Sequence, residues 1–258
     1  MAKDQHDFAR DRIDFWEKPS DLDIAKLFSL CQEKMQALDL GVSQTTDFHM
    51  AEERARAMGK SSFTPMLSSA LNDLSRDDAF WMFLQQDGED VGCVAARRDN
   101  LYSESLSEYW RRTQRRYYGL SEDEVSHSHA PAAVNEIRGN VVYMGEFFIA
   151  KSARGSRNQL ALFTHVLHSY AHLKWKPDWL YAFVRMKDNR RGYGVEYGFN
   201  RHIPMAQIWP SPPSGRQNGE YLTAISRDEI LHMAASYWRN PELLLGADSL
   251  IKVEKLRI

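Results

Sequence analysis

Cysteine is scarce: only Cys31 and Cys93 occur in 258 residues. Two such distant cysteines make neither a disulfide framework nor a metal motif, and they fit a reducing compartment. Excess charge is also missing, with 33 Lys and Arg against 35 Asp and Glu and a formal net charge of −2. No global field for nucleic acid or anionic lipid follows, so neither partner is expected. No apolar run nears the roughly 18–20 residues of a membrane span. The opening MAKDQHDFARDRIDF lacks the apolar stretch of a signal peptide. Internal repeats and low-complexity tracts are absent. The expectation is a cytoplasmic globular protein. What is present suits one: 43% of residues are hydrophobic and 12% aromatic, including seven Trp.

The chain alternates between two periods. DRIDFW (11–16) alternates as a short strand would. Ser20 and Asp23 are placed like a capping box, and Ile24, Leu27, Phe28, Cys31, Met35 and Leu38 continue as a helical stripe to Gly41. Further helices are expected over 46–58 and 65–74. AFWMFLQQ (79–86), Asp87-Gly88 and DVGCVAAR (90–97) read as a hairpin. Residues 99–140 read as an insertion: a helix rich in Arg and aromatics, then a loop. NVVYMGEFFIA (140–150) is a strand, KSARGSRNQ (151–159) a basic turn, and 160–175 a helix closed by Pro177. A strand at 178–186, a glycine-interrupted helix at 188–199, two last strands and an amphipathic helix at 227–238 follow. The order predicts one α/β (α+β) domain over 1–258, with a helical extension at 227–258.

The turn at 151–159 is where chemistry is expected. A polar turn entering a helix N-terminus aims several N–H groups one way. The helix dipole and the side chains of Arg154 and Arg157 add positive charge, which makes a phosphate or pyrophosphate cradle. It is not a nucleoside-triphosphate loop, because no Gly-Lys-Ser/Thr ending is present. His165, His168 and His172 share a helix edge without a supporting Cys or carboxylate, so a solvated or packing role is expected there and no metal. His127 and His129 read as surface loop. Arg111, Arg112, Arg115 and Arg116, interleaved with Tyr109, Trp110, Tyr117 and Tyr118, read as a solvated face with an aromatic stripe.

The strand 140–150, the turn with Arg154-Gly155 and the following helix together resemble the acyl-CoA-binding motif of the GNAT acyltransferase superfamily. Arg157 and Gln159 stand where that family prefers glycines. RIDFWEKPSDLDIAKLF resembles the family's first strand and helix, and FLQQDGEDVGCVAARR its second and third strands. DNRRGYGVEYGF resembles its later Asn, short helix and Gly-Phe, with Asn189, Gly198 and Phe199 matching. The resemblance spans about 11–226 without the insertion.

It implies a GNAT-like twisted mixed β-sheet of about seven strands flanked by helices, splayed between the fourth and fifth strands, 141–150 and 178–186. It implies a co-substrate, acetyl-CoA or another acyl-CoA, with pantetheine along Phe148 and Ile149. The pyrophosphate then sits on Arg154, Gly155, Ser156, Arg157, Asn158, Gln159 and Leu160, with Asn189 as a further contact. A small-molecule or peptide amine is the implied acceptor, attacking the thioester directly; a homodimer is compatible with the reading. Glu146 is the candidate general base, its direction left open by strand alternation. Tyr193 is the candidate general acid, with Tyr197 its rival. Long-chain transfer to an amino acid or signal molecule, and a non-catalytic ligand-binding descendant of the fold, stand as alternatives.

Overall fold

A computed structural model describes residues 18–128 and 131–245. The strand expected at 11–16, His129 and the tail beyond 245 lie outside the described residues. The first helix, α1 (Asp21–Gln36), starts on the expected box: the Ser20 N–H and hydroxyl both donate to Asp23 Oδ2, at 2.8 and 3.1 Å. Its buried face is Ile24, Leu27, Cys31 and Met35.

The chain then departs from the sequence reading. Gly41 does not end the helix. The turn is made at Ala37–Asp39, where Asp39 takes a left-handed φ of 55°, and Leu40–Thr45 is a strand, β1. LGVSQT alternates too weakly to show this; pairing along β2 supplies what the pattern lacks. The second helix, α2 (Phe48–Ala57), begins where Asp47 accepts the Met50 N–H at 3.0 Å. The helix expected over 65–74 is one 3-10 turn, Pro65–Leu67. Ser68 returns to extended backbone, and the Asn72 side chain caps the Pro65 and Ser68 carbonyls.

The hairpin forms as expected. β2 (Ala79–Gln86) and β3 (Glu89–Asn100) turn on Asp87 and Gly88, both at positive φ, the backbone a two-residue hairpin turn demands. The insertion carries α3 (Leu106–Tyr118), started by a Ser105–Glu108 capping box and ended by Gly119 at φ 64°. Residues 121–140 are less of a loop than their composition suggests. They hold a two-residue strand, β4 (His127–Ser128), paired with β8 (Gln207–Ile208), and a short helix, α4 (Pro131–Asn135).

The remaining elements are β5 (Asn140–Ile149), α5 (Arg157–Trp175), β6 (Trp179–Val184), α6 (Met186–Asn189), α7 (Tyr193–Glu196), β7 (Arg201–Pro204), β9 (Tyr221–Ser226), α8 (Arg227–Arg239) and α9 (Glu242–Leu245). The main sheet runs β1-β2-β3-β5-β6-β9-β7. Every pairing in it is antiparallel except β5 with β6. One face buries α1, α5 and α8 around Phe80, Phe163 and Leu180. The other buries the insertion and α2 around Trp81, Tyr109, Trp110 and Tyr181.

The parallel pairing is short. It joins Val141–Met144 to Trp179–Ala182 and then stops, although β5 continues to Ile149. The fourth and fifth strands of the sheet therefore splay, and the fold is the GNAT-like mixed sheet that the motifs implied. Among the described residues no helix is long and apolar enough to cross a membrane.

Candidate active site

The splay is accompanied by a β-bulge on β5. Ala95 faces Gly145 and Cys93 faces Phe148, so three steps on β5 match two on β3. Glu146 absorbs the extra residue with φ 60°, a left-handed conformation that costs a non-glycine residue roughly 1–2 kcal/mol. Simple alternation from Tyr143 would send the Glu146 side chain to the α5 face. The bulge sends it to the opposite face, with Tyr143 and Leu67. Phe147 then returns to the α5 face, against Phe163.

On the α5 side lie the residues of the phosphate motif. The Ala150 N–H donates to Val91 O at 2.8 Å, so by alternation the peptide groups of Phe147 and Ile149 face away from β3, into the splay. Ile149 O already accepts from Arg154 Nε at 2.9 Å. The helix α5 begins at Arg157, three residues earlier than expected, with Ser156 as N-cap accepting the Gln159 N–H at 3.1 Å. Arg157, Asn158 and Gln159 thus form its first turn, which holds no acidic residue. Gly155 takes φ 111° with open space where a Cβ would be. Lys151, Arg154 and Arg157 are exposed, and Arg157 Nη1 lies 2.9 Å from Glu196 Oε1. Leu160 is core. Gln159 is buried, and its Nε2 has no hydrogen-bond acceptor. An orphaned buried donor behind an open, basic helix start fits a pyrophosphate-bearing ligand.

Asn189 and the tyrosines lie on and beside α6 and α7, the latter joined to that turn through Glu196. Asn189 Oδ1 lies 3.1 Å from His202 Nδ1. Gly194 is packed so closely on this pair that a Cβ would collide with both. Tyr197 packs its ring on Phe147 at 4.9 Å, and burial raises its phenol pKa. Tyr193 stacks on Tyr197 at 6.1 Å, one ring further from β5. The histidines of α5 are all buried: His165 Nδ1 lies 2.7 Å from Ala161 O, and His172 Nε2 lies 3.0 Å from Asp21 Oδ1. No metal-binding group is found among the described residues.

The opposite mouth of the splay joins the expected Glu146 to residues that no sequence motif marks. The Glu146 carboxylate is buried, accepts the Thr64 N–H, and sits 2.8 Å from Lys60 Nζ. Burial outweighs both partners and raises its pKa above the usual carboxylate range. Tyr143, buried on the same face, feels the charges of both Arg216 and Glu146. Arg216 is buried over the Phe183 ring at 4.1 Å, pairs with Glu220 at 2.8 Å and donates to Gln207 Oε1 at 2.8 Å. Its Nη1 reaches Tyr118 of the insertion only at 3.5 Å. Lys60 follows a helix end, and Arg216 lies in a Pro- and Gly-rich loop; neither has a periodic or motif context that could have revealed it.

No protein-family model matches the chain, and no curated protein matches it. Among solved structures, FeeM, an N-acyl amino acid synthase from uncultured soil microbes, is 12% identical at a TM-score of 0.44, covering 74% of this chain and 92% of its own. Mutant forms of the spermidine/spermine N-acetyltransferase SpeG from Vibrio cholerae are 10% identical at 0.41, covering 76% and 98%. The aminoglycoside N(6')acetyltransferase of Legionella pneumophila is 10% identical at 0.40, covering 76% and 96%. Among the described residues, the sheet order, the single parallel pairing and the splay beyond it make this chain a divergent, GNAT-like one in fold.

Proposed function

We propose that this protein is an acyl-CoA-dependent N-acyltransferase. It moves an acyl group, acetyl in the first instance, from coenzyme A to a primary amine by direct attack in a ternary complex. The observation that supports this best is the end of β5–β6 pairing at Met144, just before β5 runs into a basic, helix-capped turn. An unpaired strand edge can take the amides of a pantetheine arm as an added strand, in line with a phosphate cradle at its end.

In this reading Phe147 and Ile149, whose peptide groups face the splay, present backbone to the arm, and 154–160 holds the pyrophosphate. The expected Phe148 does not, because its peptide groups turn toward Cys93 of β3. Glu146 takes a proton from the acceptor amine, a role that its raised pKa suits. Tyr193 protonates the departing thiolate, with Tyr197, the ring in contact with Phe147, as the rival. The described chain works as one domain in the cytoplasm, with the insertion covering the acceptor mouth through Tyr118. Most of the rate enhancement comes from holding amine and thioester together. A second reading, a ligand-binding descendant without turnover, draws on the pairing of Glu146 with Lys60, which occupies the base.

A thermal melt with acetyl-CoA and longer acyl-CoAs tests the coenzyme reading. At 100 times its Kd, one bound ligand adds about 2.7 kcal/mol of stability. The expected outcome is a shift with at least one acyl-CoA and thiol release with an amine panel. A shift without release favours the second reading, and no shift removes both.

A further inference from the structure

Lys60 is a charged group at the acceptor mouth, in direct contact with the candidate base, for which the proposed reaction has no use. Gly59, at φ 91°, ends α2, and the Lys60 N–H bonds back to Ala55 O at 3.1 Å, which brings the chain back over the sheet. The side chain is 10% exposed, against 2% for its partner Glu146. It runs beside Phe63, with Nζ 5.2 Å from the ring centroid, and ends 2.8 Å from Glu146 Oε2. A buried ion pair is a weak source of stability, since apolar residues of similar volume often do as well. Here the pair sits on the bulged residue of the splayed strand, and it holds a primary amine on an unbranched chain against the candidate base.

Building on the acyltransferase reading, we propose that Lys60 occupies the position of the acceptor amine and is itself a site of acylation. Glu146 accepts a proton from the Lys60 ammonium. The freed nitrogen attacks the thioester carbonyl, the C–N bond forms and the C–S bond breaks. The departing thiolate takes the second proton from nitrogen, and Glu146 returns its proton to solvent. The products are an Nε-acyl lysine, coenzyme A thiol and one released proton. Free acceptors of the same class are primary amines on a flexible, unbranched chain, which must displace Lys60 from Glu146.

The test incubates the whole protein with acetyl-CoA, and separately with decanoyl-CoA, and follows intact mass, peptide mass and thiol release. The expected result is one acyl group on the peptide carrying Lys60, with equimolar thiol. Lys60→Arg, which keeps the charge and cannot form the amide, removes that adduct. Glu146→Gln slows its appearance by about a hundredfold. No adduct on Lys60, with the melting temperature still raised by an acyl-CoA, overturns this proposal and leaves the coenzyme reading standing. Equal labelling of the exposed Lys18, Lys151, Lys176 and Lys187 is chemical acylation and overturns it as well. Failure of every acyl-CoA to bind removes both.

Discussion

Glu146 shows how much one residue can decide. A non-glycine at φ 60° inside a strand is uncommon, and such strain persists where the surroundings enforce it. Here the Thr64 amide and Lys60 hold the carboxylate, and the bulge faces it to the acceptor mouth. Glu146→Ala leaves Lys60 buried without its partner, and denaturant unfolding is expected to show a loss of roughly 3–5 kcal/mol. Glu146→Gln keeps the acceptor oxygen but cannot take a proton. Thiol release is expected to fall by about 10²–10⁴ while the shift with acyl-CoA persists. Unchanged turnover in Glu146→Gln removes it as the base.

At the scale of elements, α5 serves two ends of the molecule. Its N-terminus forms the basic turn, and its body is a core helix packed beside α1 on one face of the sheet. Its histidines tie it to acid. Burial holds His165 at about 4 and His168 at about 3, both below the usual value of 6.5. Both are neutral in the fold and gain a proton on unfolding below pH 6.5. The unfolded state then binds more protons, so stability falls as pH falls through 6.5, until the folded-state values are reached. Between pH 7 and pH 5 the two together are expected to cost roughly 4 kcal/mol. Denaturant midpoints across that range measure this, and His168→Leu should about halve the acid slope. A flat profile would exclude the neutral, buried assignment. The same helix marks a limit of the sequence: three histidines on one edge read equally as solvated or packed until α1 and the Gly198–Phe199 turn cover them.

At the scale of the whole molecule, the insertion is not an appendage. Arg97 of β3 is buried and donates to Met66 O, the Asn72 side chain and the hydroxyls of Tyr109 and Tyr117 on α3. Tyr109, Trp110, Val134 and Ile137 lie in the core of that face. Deleting 103–138 is therefore expected to abolish the cooperative thermal transition. Tyr118→Ala removes the contacts to Arg216 and Trp209 and a partly buried ring at the edge of that core, a far smaller change with which to test acceptor preference. A folded deletion variant would show the insertion to be separable.

The sequence by itself determined the hairpin, α1, β5, the basic turn and the final strand and helix. Local signals suffice there: a capping box, a two-residue turn, long apolar runs and glycines at positive φ. It also determined the chemical character of 151–159, because charge and helix starts are local properties. Only the tertiary structure decided β1, whose weak pattern becomes a strand through its pairing with β2. It likewise decided the direction of Glu146, since one extra residue in a strand reverses a face without any mark in composition. Lys60, Thr64, Tyr143 and Arg216 come from segments up to 156 positions apart. Burial brings such charges together and gives them partners, and burial is a property of the packed chain that no local pattern encodes.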